Sequence, residues 1–320
     1  MIWLGWREQR VEALIAAALL ALLAAVAIPA GLHMASVYSH EGLAACTGNL
    51  GPADPCNVSV SDFLTRFGSV NVLFSWSTLL PALLALLFAA PFVLDLDNGT
   101  YRLFWTQSIT RRRWIVTKLA IGTVACVVGG GCVAALAMWS RAPLDHLDGR
   151  MSTNTYDAEG IVPIAYAVFV LGVAVALGVL WRRTVPALLV AFVVYVVGRS
   201  VMDSWLAQRL LTPVRTTWLE GNGGPNLNHA LVIDQFVSDR HGTRLSQAFH
   251  GCGGSSGGLF SHTNAVCVQP HAAGAHVYMT AVYQPAGRFW ELQSVEFALV
   301  AGIGVLLVLV AGWWTHRRFA

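Results

Sequence analysis

Apolar positions along the chain gather into six runs of bilayer length, separated by polar segments of very unequal size: Ala13–Leu32, Val72–Leu94, Leu119–Ser140, Ile161–Trp181, Val185–Leu206 and Phe297–Trp314. A helix rises about 1.5 Å per residue, so about 20 apolar residues cross a hydrocarbon core of about 30 Å. Inside lipid a lone segment can satisfy its backbone only as a helix. The pattern therefore predicts an all-α integral membrane protein with six transmembrane helices. The first run is longer than the apolar core of a secretory signal and lacks a tidy small-residue cleavage site, so it reads as a retained helix. Pro81 and Pro91 fall in the second run, and Pro163 and Pro186 near the starts of the fourth and fifth, as kinks or helix starts. Gly129-Gly130-Gly131 in the third permits close approach of a neighbour.

Composition supports this class. The chain is 56% hydrophobic and 12% charged, with mean hydropathy +0.59, whereas soluble domains carry about 25% charged residues. The net charge of +3 mostly reflects a basic cytoplasmic rim, and no nucleic-acid partner is expected. Basic residues resist translocation. Arg7, Arg10, Arg102, Arg111, Arg112, Arg113, Lys118, Arg182, Arg183, Arg317 and Arg318 all fall on one face, against Arg66, Arg141 and Arg150 in the two short loops opposite. Both termini are thus expected to be cytoplasmic, in the plasma membrane. The layout is helices one to five over 1–206 with a cytoplasmic loop at 95–113, a large extracytoplasmic loop or small domain between helices five and six at 207–296, and the last helix and tail at 297–320.

The cysteines suit that layout. Cys46 and Cys56 share the first outer loop and Cys252 and Cys267 the large one, which makes them candidates for two local disulfides in an oxidising compartment. The alternative is four free thiols. Cys126 and Cys132, within the third run, read as packing residues.

Candidate chemistry is sparse. Lys118 is the only lysine, in Ile-Val-Thr-Lys-Leu-Ala, which excludes a GxxxxGK[ST] phosphate loop. No metal or cofactor is expected in this chain. Gly253-Gly254-Ser255-Ser256-Gly257 matches GxSxG, but a nucleophile elbow needs a strand before and a helix after, and a Gly/Ser-rich loop is the plainer reading. His229, His241, His250, His262, His271 and His276 are irregularly spaced, with only the last two near a ligand pair, and read as surface or hydrogen-bonded histidines. Arg199 and Asp203 lie four apart at the outer end of the fifth run. They either line a polar cavity near the outer leaflet or snorkel to the interface.

The segment after the second run is the most informative. An acidic Asp97-Asn98-Gly99-Thr100 turn precedes the amphipathic stretch Tyr101, Leu103, Phe104 and Trp105, and Arg111-Arg112-Arg113-Trp114 then re-enters the membrane. This reads as a short helix lying on the membrane surface. The acidic Gly-Thr turn followed by Trp105-Thr106-Gln107-Ser108-Ile109-Thr110-Arg111-Arg112-Arg113-Trp114 resembles the coupling segment of ABC type 2 exporter permeases of the actinobacterial branch. Met1-Ile-Trp-Leu-Gly-Trp-Arg7-Glu-Gln-Arg10, like a short N-terminal interfacial helix, and Tyr283–Gln293 with Glu296 resemble the same branch. Asp97 and Asn98 stand where that family often carries glutamate.

The resemblance implies a permease subunit driven by two copies of a separate ABC ATPase subunit, so that ATP is used by the partner. It also implies pairing with a second copy or a sister permease, embedding in membrane lipid, and outward movement of an amphipathic or lipid-like substrate. Asp97, Gly99, Thr100, Arg102, Trp105, Arg111, Arg112 and Arg113 would form the ATPase-coupling loop, with Thr100 capping its short helix. The alternative class is a polytopic receptor or sensor whose outer loop binds a ligand. A secondary carrier is disfavoured by the lack of internal repeats and of several buried ionisable residues.

Overall fold

A computed structural model describes residue 7 and residues 9–46, 55–100, 110–151, 156–203, 207–219, 224–225, 227, 229–244, 249–250, 266–267 and 278–318. The helices are α1 Arg10–His40, α2 Pro55–Arg66, α3 Gly68–Ser77, α4 Leu80–Asp97, α5 Arg111–Leu147, α6 Val162–Trp181, α7 Thr184–Val201, α8 Ala207–Leu210 and α9 Phe289–Arg318. Six spans are long and apolar enough to cross a membrane: α1, α3 with α4, α5, α6, α7 and α9.

The helix α6 lies at the centre and packs against α4, α5, α7 and α9. Lipid tails are as apolar as leucine, so burial in a bilayer offers little driving force and close packing must supply it. Small residues serve that end here. A Cβ on Gly172 of α6 would fall 2.4 Å from the Gly304 carbonyl oxygen, and one on Gly304 of α9 would fall 2.7 Å from the Phe169 backbone. The α5 backbone also approaches α6 closely, at Gly130, where a Cβ would fall 3.0 Å from Ile164 and 3.1 Å from the Pro163 carbonyl oxygen, as the glycine run predicted. Cys126 is buried in this core while Cys132 is exposed.

The second span breaks at Thr78-Leu79, ahead of Pro81. Proline supplies no N–H and its ring crowds the preceding turn. The buried Tyr195 hydroxyl of α7 donates to the Thr78 carbonyl at 2.6 Å, satisfying a backbone group beside the break.

Away from the face that carries the termini, the described parts of the polar segments are folded. The Cys46–Cys56 disulfide ties the end of α1 to α2, and Met34, Leu43, Phe63, Phe67 and Leu144 form a small core there. Cys252, and with it the proposed Cys252–Cys267 pairing, lies outside the described residues, as do His262, His271, His276 and the Gly253–Gly257 string. After α7, strands β1 Val214–Leu219, β2 Leu231–Ser238 and β5 Tyr278–Gln284 form an antiparallel sheet in the order β1-β5-β2. Val214 pairs with Tyr283 and Val237 with Met279, and a register shift lies between Val232 and Asp234. The short strands β3 Phe249–His250 and β4 Val266–Cys267 pair separately.

The last span starts earlier than its apolar run. It begins at Phe289, not Phe297, because Glu291, Gln293 and Glu296 belong to the first turns of α9. Gln293 and Glu296 are fully buried there, among polar partners. Likewise α5 continues past Ser140 to Leu147 and carries Arg141 and Asp145 inward.

Candidate functional site

Two polar assemblies close the ends of the bundle. The first gathers at the terminal face, where α4 ends. Asp95 of α4 forms an ion pair with Lys118 of α5, both largely buried. Lys118 also lies 5.3 Å from the Trp114 ring, which stacks on Phe92 at 5.6 Å. The Asp97 carboxylate accepts the backbone N–H and the hydroxyl of Thr184, each at 2.9 Å. It thereby caps α7 from another element, since Arg183 at the α7 N-cap makes no side-chain cap of its own.

Gly99 turns the chain with φ +71°, a backbone region that costs glycine little and β-branched residues much. The Thr100 hydroxyl turns back to the Asp95 carboxylate at 2.8 Å. It is thus engaged behind the turn, and the short helix it is expected to cap lies outside the described residues. Arg102 and Trp105 lie outside the described residues. Arg111, Arg112 and Arg113 occupy the first turn of α5, Arg112 and Arg113 exposed. Three cations there oppose the positive end of the helix dipole, an arrangement that favours an anionic partner. The segment before α5 is therefore strapped at its start to α4, α5 and α7 together.

The second assembly lies at the opposite face, and only a corner of it, Arg199 with Asp203, is legible in the sequence. Its hub is the connector between α5 and α6, with a 3-10 turn at Tyr156–Ala158. Arg199 of α7 donates to Asp157 at 2.7 Å, and its expected partner Asp203 is the more distant one at 3.7 Å. Arg141 of α5, fully buried, donates to Glu159 at 2.9 Å and to Asn71 of α3 at 2.7 Å, with Asp145 at 3.5 Å. Gln293 of α9 accepts the Ile161 N–H at 2.8 Å and donates to the Tyr156 and Glu159 carbonyls. Tyr166 of α6 donates to Glu296 at 3.1 Å. One connector thereby joins α3, α5, α7 and α9.

Burial pushes Glu159 up to about 7; the nearby Asp145 charge adds to this and Arg141 opposes it. Burial also raises Asp203, helped by the hydrogen bond that its protonated carboxyl donates to Asp157, and raises Asp148. The signal for Asp145, Asp157, Glu159 and Glu296 was faint because each lies outside an apolar run. Arg199 and Asp203, four apart in the fifth run, show as a pair in sequence, whereas Arg141 and Asp145, equally spaced, fall beyond the end of the third run. Among the described residues no group of three or more His, Cys, Asp or Glu side chains could hold a metal ion.

Two apolar grooves open on the flanks. One, of about 790 Å³, runs between α5 and α9 over Val168 of α6, and the other, of about 660 Å³, lies between α1, α4 and α5.

Compared with known proteins, residues 17–207 match a family model described as ABC-2 membrane transporter related. That stretch spans α1 to the start of α8 and contains the whole terminal-face assembly. No curated protein and no solved structure gave a significant match.

Proposed function

The chain belongs to the ABC-2 membrane transporter related family, with 191 of its 320 residues (17–207) matched, and from that premise we propose that this ABC transporter permease is an exporter subunit driven by a separate ATPase. A multi-pass bundle with six spans is the membrane component of such a transporter. The finer reading is that two ATPase copies dock on the segment 97–113, and that two permease chains pair around an amphipathic, lipid-like cargo moved outward. Both termini face the cytoplasm with that segment, in keeping with the basic residues on that face.

One observation carries the coupling role. The start of the segment is tied to three helices at once, through Asp95 to Lys118 on α5 and through Asp97 to Thr184 on α7. Force applied to residues 98–110 would therefore reach α4, α5 and α7 without slack. Arg111 and Arg113 would meet acids on the ATPase.

The test is co-purification from native membranes, followed by ATPase turnover. We expect a Walker-motif ATPase in stoichiometric yield, with turnover that depends on this chain. Gly99→Val places a β-branched residue at positive φ, and Asp97→Ala releases α7. Each should lower chain-dependent turnover while leaving insertion and yield intact. Turnover unchanged by both variants would remove the coupling role, and a signalling protein recovered in place of an ATPase would favour a receptor.

A further inference from the structure

The groove between α5 and α9 has a chemistry that the transport reading does not use. Its walls are Ile115, Leu119, Val124, Val305, Val308 and Leu309, with Val168 as floor. At its terminal-face end it is lined by Arg112, Trp313 and His316, and Arg317, just outside the lining, lies 4.6 Å from the Trp313 ring. Among the described residues its lining holds no acid. From Arg112 to Val124 the groove follows α5 for about 18 Å at about 1.5 Å per residue, close to the depth of one hydrocarbon leaflet, about 15 Å. The groove on the other flank, by α1, is lined by apolar side chains and Thr117, with no charged residue among the described lining.

We infer that the α5/α9 groove is a binding site for one anionic phospholipid of the terminal-face leaflet. An acyl chain lies along Val124, Val305 and Leu309, and the phosphate sits between Arg112 and Arg317, with His316 as a further polar contact. Charge complementarity selects this occupant. A second copy related by a two-fold axis through the groove would bring the cationic rim against its own image. A zwitterionic lipid would fill the apolar part equally well but would carry no net charge to the rim. The inference needs only a bilayer around the chain. It assigns Arg112 to a lipid phosphate, so its failure and the failure of ATPase coupling are read by different variants.

The experiment uses the full-length chain in neutral detergent, stripped of lipid and without ATPase. It is titrated with phosphatidylglycerol or phosphatidylcholine of identical tails, and native mass spectrometry counts bound lipid. Phosphatidylglycerol should bind more tightly. Arg112→Gln with Arg317→Gln should cut that preference by about fivefold per cation removed, about 1 kcal/mol each, and Arg112→Lys should retain it. Leu309→Trp, which fills the groove but keeps the rim, should weaken both lipids. Equal binding of the two lipids, or a preference that the double variant leaves intact, overturns the site. So does efficient cross-linking between copies through Leu309→Cys in membranes, which would place a second chain in the groove.

Discussion

Glu159 shows how much one buried carboxyl can depend on its surroundings. It is fully buried, pairs with Arg141 at 2.9 Å and shares that cation with Asp145. Its pKa rises from the usual 4.5 to about 7, so the folded state holds a proton that the unfolded state has released. Stability from this group is complete below pH 4.5 and is lost as pH rises to about 7. The thermal midpoint of the detergent-solubilised protein should fall across that window, and Glu159→Gln should flatten the slope there. A slope untouched by the substitution would mean that another group titrates. Sequence pointed at Arg199 and Asp203 because they are four apart on one helix. It was silent on Asp157 and Glu159, which reach Arg199 and Arg141 only through the fold.

Elements are held together by shape as much as by apolar area. Gly172 and Gly304 let α6 and α9 touch backbone to backbone, whereas Gly302, one turn-half away, has nothing within 4 Å of a built Cβ. Gly304→Leu should therefore collapse the yield of monodisperse protein, and Gly302→Leu should leave it near wild type. Equal tolerance at both positions, read by size-exclusion chromatography, would contradict the close contact. The start of α9 teaches a related lesson. Hydropathy stops the last span at Phe297, since Gln293 and Glu296 look like loop residues, yet both are buried helix residues with partners on α6 and its preceding connector. Polar side chains near a span's end cannot be assigned to helix or loop by hydropathy when their partners are distant in sequence.

At the scale of the molecule, charge and redox chemistry point the same way. The basic residues gather on one face, expected to be cytoplasmic, and the Cys46–Cys56 disulfide lies at the other, where an oxidising compartment would let it persist. A protease site placed in the Asp239–Gly242 turn should be cut in intact cells, while tags at both termini should be cut only after permeabilisation. Cleavage of the terminal tags in intact cells would reverse the orientation. That turn is a firm insertion point, because the Asp239 carboxylate accepts the N–H groups of His241 and Thr243 and organises it locally.

The six crossings, their order and the first disulfide pair were legible in the chain itself, because hydropathy over about 20 residues is a local property and bilayer thickness fixes the length it must reach. The family match agrees with the string at Trp105–Trp114, another local pattern. What the tertiary structure decided was long-range. It placed α6 at the centre, raised a three-stranded sheet from a Gly-, Ser- and Asn-rich segment, and tied Asp97 to Thr184, 87 residues away. It also gathered the acids of one short connector around arginines from two different helices. A charge in a low-dielectric interior must find a partner, but which partner depends on how helices pack, and packing is a property of surfaces that no single segment carries.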